Sequence, residues 1–298
     1  MNTLRWGILG AGNIANAFAT GLASLPDAEL WAVGSRTLGK ARTFARKYGA
    51  PQAYGSYEAL VADDALDAVY VATPHPFHRE HALLALSHGR AVLCEKPFAL
   101  NAREAEEMAA AARDAGLFLM EAMWTRLLPH VVRALGMLED GAIGELRQLT
   151  ADFGFRADFD PASRLFDPQL GGGALLDVGV YPLHLAHAAF GEPEDLATFA
   201  RLGETGVDEE AAALLRYGGG AMALIQTATR LQTPHEAVFH GAEGRLRLRP
   251  PWWKPSGLVL ERAGRESEAI PVPFDGNGYN YEAAEVGRCL REGRLESG

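Results

Sequence analysis

A strand that breaks into Gly10-Ala11-Gly12-Asn13-Ile14-Ala15 and runs straight on into a helix leaves few folds open to this chain. Leu4 to Leu9 is an apolar run closed by Gly10, the mark of a buried strand, and Ile14 to Ser24 is an alanine-rich helical stretch. Gly10 permits the tight turn, Gly12 lets the backbone approach a pyrophosphate, and Ala15 allows close helix–strand packing. The first-turn amides, at Asn13 and Ile14, and the helix dipole favour phosphate. Alone, GxGxxA is a weak signal. In the first strand-to-helix turn of a βαβ unit it reads as a dinucleotide site, with a plain tight turn as the alternative. Where an NAD site carries an acid for the ribose hydroxyls, this chain has Gly34-Ser35-Arg36 and then Lys40. Ser35 and Arg36 can hold a 2′-phosphate and Lys40 can add charge. On their own they would read as solvated charges at a helix start. Behind a fingerprint loop they favour NADP over NAD.

The alternation continues. Glu29 to Ser35, Ala68 to Ala72, Ala91 to Cys94 and Phe118 to Ala122 read as strands. Helices between them start near Thr37, His78 and Asn101 and stop at Gly49, Gly89 and Gly116. Asn101 with Glu104 is a capping-box pattern. Apolar strands alternating with glycine-terminated helices predict an α/β fold, a doubly wound parallel sheet of the Rossmann type covered on both faces. The character changes near Trp124. His130 to Asp140 and Ala174 to Phe190 read as helices, and Glu145 to Phe155 as a long strand. Five shorter strands then follow between Ala211 and Arg262, divided by turns such as Gly218-Gly219-Gly220. The expectation is a nucleotide-binding domain over 1–122 and an α+β domain over 123–298, with a mostly antiparallel open sheet.

Composition narrows the partners. The 298 residues carry 28 Lys and Arg against 38 Asp and Glu, a net charge of −10, which argues against nucleic acid or an anionic membrane as the main partner. No run approaches the ~18 apolar residues of a membrane span, and no secretory leader is apparent. Two cysteines, Cys94 and Cys289, cannot build a disulfide framework, so a cytoplasmic protein is expected. No metal site is expected. Only four of the 28 cations are lysines, and one of them, Lys96, stands in Glu95-Lys96-Pro97 at the carboxyl end of a parallel strand. Doubly wound folds place their ligands there. Gly171-Gly172-Gly173 leads into a helix with Asp177 and Tyr181 on one face, and His184 three residues on. An Asp inside Ala-Leu-Leu-Asp-Val-Gly-Val needs a partner if buried: a ligand, or a local hydrogen bond at the helix start. His184 and His187 read first as ordinary helical histidines.

Together, Gly10 to Ala15, Ala72-Thr73-Pro74 with His78, Glu95-Lys96-Pro97, and Gly171-Gly172-Gly173 through Asp177 and Tyr181 resemble the glucose-fructose oxidoreductase/inositol dehydrogenase (Gfo/Idh/MocA) family, in order and spacing over nearly the whole chain. Many members have histidine in place of Tyr181. Tyrosine there, with Met120-Glu121-Ala122-Met123-Trp124-Thr125-Arg126, resembles the branch of dimeric dihydrodiol dehydrogenases and NADP-dependent D-xylose dehydrogenases. The resemblance implies an NADP-dependent dehydrogenase acting on CH–OH carbons of an aldose or cyclic diol. It implies Lys96 and Tyr181 as the catalytic pair, with Asp177 beside them. Thr73, Pro74, His75, His78 and Glu95 would border the nucleotide, and Trp124 and Arg126 the substrate. It also implies dimers packed through the open sheet and a further terminal helix, which a chain ending at Gly298 lacks. Other readings are a reductase of an anhydro-keto sugar, a glycosidase with tightly held NAD, and a non-catalytic NADP sensor. The Ser35-Arg36 pair counts against the glycosidase, and Lys96, Asp177 and Tyr181 together count against the sensor. Trp252 and Trp253 read equally as sugar-facing walls or as sheet packing.

Overall fold

The computed structural model describes residues 3–297. They form two compact units. One runs from the N-terminus to Trp124 and takes in the segment from Gly276 onward; the other is Thr125–Asp275. The final helix thus belongs with the first unit, where the sequence reading assigns all of 123–298 to the second domain.

The first unit opens with β1 (Leu4–Leu9), α1 (Asn13–Leu22), β2 (Ala28–Gly34), α2 (Leu38–Tyr48), β3 (Gln52–Tyr54) and α3 (Tyr57–Val61). It continues with β4 (Ala68–Val71), α4 (His78–Ser87), β5 (Ala91–Glu95), α5 (Ala102–Ala115) and β6 (Leu119–Ala122). Its six strands lie in the order β3-β2-β1-β4-β5-β6, and every pairing is parallel. The order reverses direction between β1 and β4, the switch point where such sheets bind ligands. Continuous apolar strands are what burial on both faces demands, and β4 and β5 are buried throughout. The helices end as their glycines require: Gly49 and Gly116 take left-handed φ of 74° and 63°. Asn101 caps α5 by accepting from Glu104 N at 3.0 Å, while Glu104 Oε2 accepts from Leu100 N at 3.2 Å. The short β3 and α3 escape the sequence reading because three to five residues carry too little period.

The second unit holds α6 (Pro129–Glu139), β7 (Leu146–Gly154), α7 (Val180–Phe190), β8 (Asp195–Leu202), β9 (Asp208–Arg216), β10 (Met222–Ala228), β11 (Ala237–Gly241), β12 (Gly244–Leu248), β13 (Leu258–Arg262) and β14 (Glu268–Ile270). Its sheet runs β14-β13-β12-β11-β7-β10-β9-β8. Only β7 and β10 pair in parallel. β8 went unseen because all eight of its residues are exposed, which leaves no alternation to read. Among the described residues no helix is long and apolar enough to cross a membrane.

The last helix, α8 (Tyr279–Arg291), packs on α1 in the first unit, with Ala283, Val286 and Cys289 in the same core as Trp6, Phe18 and Tyr70. Beyond it the chain returns to β6, where Leu119 N donates to Leu295 O at 3.3 Å. A cavity of about 300 Å³ lies there, lined by Phe98, Ala112, Leu117, Leu119, Met120 and Leu295 among others.

At Gly21, α1 packs tightly against the start of α8 and the turn before it. A Cβ there would lie 2.7 Å from Asn277 Oδ1 and 2.8 Å from Asn280 N. Alanine normally gains a helix about 1 kcal/mol over glycine. Gly21→Ala should instead lower stability, by about 1–3 kcal/mol through overpacking against backbone. Urea unfolding decides it: an unchanged or higher midpoint would mean that α8 yields freely at this contact.

Candidate active site

The glycine loop has the form a phosphate cradle needs. Gly10 has φ +106°, and a Cβ there would meet Ala72 O at 2.9 Å. Gly12 is the N-cap of α1 and contributes no side-chain bond, so no cap side chain covers the first-turn amides of Asn13 and Ile14. A Cβ on Gly12 would find only Ala72 O, at 4.0 Å. Close backbone and uncapped amides fit a dinucleotide pyrophosphate. At the end of β2, Ser35 is buried while Arg36 and Lys40 are exposed.

The ends of β4 and β5 are tied together by His78. The ring is fully buried, with Nδ1 2.8 Å from Pro97 O and Nε2 2.8 Å from Thr73 O. Burial is the largest influence on it and pushes its pKa below the usual histidine value. Thr73 Oγ1 meets His81 Nδ1 at 3.0 Å. Pro74 caps the short turn His75–Phe77, and the His75 ring meets His78 edge-on at 5.7 Å. Glu95 closes β5 and is buried; it accepts from the Tyr70 hydroxyl, and its Oε2 accepts from Lys96 N at 3.2 Å. The Lys96–Pro97 peptide is cis. Glu121 Oε1 accepts from Phe98 N at 2.9 Å. Burial drives both carboxyls up, Glu95 to about 7, while the Lys96 charge pulls both down. Lys96 therefore sits among acids, a fact the sequence shows only for Glu95. Trp124 is buried and stacks on Tyr279 at 4.6 Å, so one face of this expected substrate wall is already covered.

In the second unit the helix expected over 174–190 opens with a π turn, Leu175–Gly179, before α7. Such turns are rare and frequent at functional sites. It holds Asp177, 4% exposed, whose Oδ1 accepts from Arg164 Nη1 at 2.7 Å. Arg164 is the partner that a buried carboxylate needs, and it lies outside any helical spacing. Asp208 Oδ2 accepts from Leu175 N at 2.7 Å and caps the π turn. Tyr181 is buried against Phe153, ring centroids 5.3 Å apart. Phe153 stacks on Trp253 at 3.4 Å, and His235 meets Trp253 edge-on at 4.4 Å. The tryptophan pair divides its roles. Trp253 joins this wall, whereas Trp252 is fully buried, with Nε1 donating to Asp152 O at 2.8 Å.

His184, on α7 with Tyr181, has a buried Nε2 without a hydrogen-bond partner. Burial first, then Arg126 and His187, lower its pKa from 6.5 to about 4. In that window the unfolded chain binds a proton that the folded chain does not. Stability should therefore fall as pH falls from 6.5 to 4, by up to about 3 kcal/mol from this residue. His184→Gln should lose correspondingly less on acidification from pH 7 in urea unfolding. Equal losses in both proteins would show that His184 titrates normally.

Comparison with known proteins gives two family matches. Residues 4–123 match the oxidoreductase family with NAD-binding Rossmann fold, and residues 131–247 match the GFO/IDH/MocA C-terminal domain. Trans-1,2-dihydrobenzene-1,2-diol dehydrogenase of Mus musculus is 42% identical over 99% of this chain and 90% of its own length. The Homo sapiens protein of that name is 40% identical over the same shares. Among solved structures, the 3-ketoreductase KijD10 of Actinomadura kijaniata, in complex with NADP and TDP-benzene, superposes with a TM-score of 0.87 at 29% identity, over 98% of this chain and 91% of that one. The aldose-aldose oxidoreductase of Caulobacter crescentus gives 0.91 at 27% identity, over the same shares. With both of its domains matched and relatives at 40% identity or more over its full length, the chain belongs to the Gfo/Idh/MocA oxidoreductase family.

Proposed function

We propose that this chain is a cytoplasmic NADP-dependent dehydrogenase that moves hydride between the nicotinamide and a CH–OH carbon of a cyclic diol or aldose, with trans-dihydrodiols the first class to try. The observation that carries the substrate class is the setting of Tyr181 beside the stacked rings of Phe153 and Trp253. Flat apolar faces suit the unsaturated ring of a dihydrodiol and the C–H face of a sugar. The 42% identity to a dihydrodiol dehydrogenase supports the same reading.

When bound, NADP supplies the hydride acceptor or donor. The Gly10–Gly12 loop and the Asn13 and Ile14 amides hold its pyrophosphate in this reading. Ser35, Arg36 and Lys40 take the 2′-phosphate, and Thr73, Pro74, His75, His78 and Glu95 border the nucleotide. Tyr181 takes the proton of the substrate hydroxyl. A free phenol titrates near 10, so working at pH 7 asks for about 4 kcal/mol of differential stabilisation. The Lys96 cation is the group assigned to supply it, serving the same hydroxyl. Asp177, fixed by Arg164, and Arg126 with Trp124 orient the substrate.

Spectrophotometric turnover with NADP and NAD across trans-dihydrodiols, pentoses and hexoses tests this. Tyr181→Phe and Lys96→Met should each lower turnover by about 100-fold or more. Arg36→Ala should weaken NADP by roughly 30-fold, the worth of one arginine–phosphate pair, and leave NAD unmoved. Near-normal turnover in Tyr181→Phe would remove the base assignment, and equal affinity for the two nucleotides would remove the NADP assignment.

The open sheet face of the second unit supports a homodimer. Strand register puts Phe199, Leu214, Met222 and Leu224 on one face, and they are 84, 43, 38 and 40% exposed. A patch of this kind marks an interface. Sedimentation should find a dimer that Phe199→Glu converts to monomer; a monomeric wild type would end the proposal.

A further inference from the structure

Glu282 is the most anomalous charged residue of the first unit. It lies in the first turn of α8, is 0% exposed, and neither carboxylate oxygen has a hydrogen-bond partner. The titratable groups that interact with it are Tyr70 on β4 and Glu95 on β5, and Tyr279 on α8 itself acts on the same Tyr70. The packed helix α1 has no titratable side chain. The wall behind is aromatic, with Tyr70 stacked on Phe18 at 3.8 Å and Phe18 meeting Trp6 edge-on at 5.2 Å. An ionised carboxylate with no donor in such surroundings would be far more costly than a neutral acid. Glu95 is better placed for charge, since the Tyr70 hydroxyl and the Lys96 amide both donate to it. Two acids in one dry pocket cannot both ionise freely, and the better-solvated one keeps the charge.

We propose that Glu282 is held as a protonated carboxylic acid beside Tyr70 and Glu95, a buried acid cluster in which its own charge is not added to that of Glu95. Glu282 is thus not a catalytic residue: it stays neutral beside Glu95, and a neutral amide in its place should leave the reaction as it is. Burial, and then the neighbouring Glu95, push its pKa well above the usual carboxyl range, in agreement. The proposal rests on Lys96 as the working cation of the reaction proposed above.

The sign for stability follows. Above the unfolded carboxyl pKa of about 4.3, folded Glu282 keeps a proton that the unfolded chain releases. The unfolding constant of the wild type should therefore rise with pH relative to Glu282→Gln, by up to about tenfold per pH unit above pH 5. Infrared difference spectra at pH 7 should show a protonated carboxylic acid carbonyl band in the wild type that Glu282→Gln lacks. The pH profile of kcat/KM should superimpose for Glu282→Gln and wild type, and shift for Glu95→Gln. A pH-independent stability difference, or no protonated-acid band, would overturn the proposal. Should Glu282→Gln fail to fold, the spectrum of a Glu95→Gln, Glu121→Gln double variant decides: a protonated-acid band that persists at pH 7 supports the proposal, and its absence there overturns it. The spectra and unfolding curves need no turnover, so failure of Lys96 or Tyr181 as catalytic groups would be seen separately.

Discussion

One buried imidazole ties together the carboxyl ends of two strands in the first unit. His78 spans from the carbonyl of Thr73, just past β4, to that of Pro97, just past Lys96. Two carbonyls ask for two N–H donors, and only an imidazolium has two. Burial nevertheless moves the ring toward its neutral form. The two carbonyls pull the other way, since both favour the doubly protonated ring that can bond each of them. Thr73, Pro74 and His75 on one side and Glu95 and Lys96 on the other take their places from that clamp. The same residues border the nucleotide in the proposed reaction.

The fold was legible where period and punctuation agree. Leu4 to Leu9 followed by Gly10 could hardly be anything but a buried strand and a tight turn, and the strand is there with Gly10 at positive φ. The helix over 174–190 shows the limit. Its apolar residues have the helical period on both sides of Asp177, and period cannot report that one turn is widened into a π turn. β8 shows the opposite limit: a strand exposed on both faces has no buried side to betray it.

For the candidate site, the sequence offers residues by type and place but not their partners. Lys96 and Tyr181 announce themselves by residue type and by place at a strand end or helix start. Arg164, which pairs with Asp177, sits in irregular chain where no spacing rule applies. Phe153 could be read as a strand residue, but not as one that stacks on Trp253, because that contact joins segments far apart in sequence. Glu121 and Glu282 were missed for the same reason. Inside Leu-Met-Glu-Ala and Asn-Tyr-Glu-Ala a glutamate looks like a solvated charge, and only the packed structure shows Glu121 near Lys96 and Glu282 near Glu95.

That gathering bears on how a lysine can serve here. A cation activates a phenol only by the charge it does not lose to nearer anions. Glu95 and Glu121 both feel the Lys96 charge, and Glu95 in turn feels Glu121. With every neighbouring carboxyl ionised, the cluster would carry more negative than positive charge, and the cation would be cancelled where it stands. Burial works against this at each acid: it raises Glu95, Glu121 and Glu282 alike. Tyr70 then gives the one well-bonded acid, Glu95, a donor of its own, so its charge is met by a hydrogen bond as well as by the lysine. The apolar wall of Trp6, Phe18 and Tyr70 is therefore part of the electrostatics of the site: it sets how many carboxyls can be charged, and so how much of the Lys96 cation is left to act.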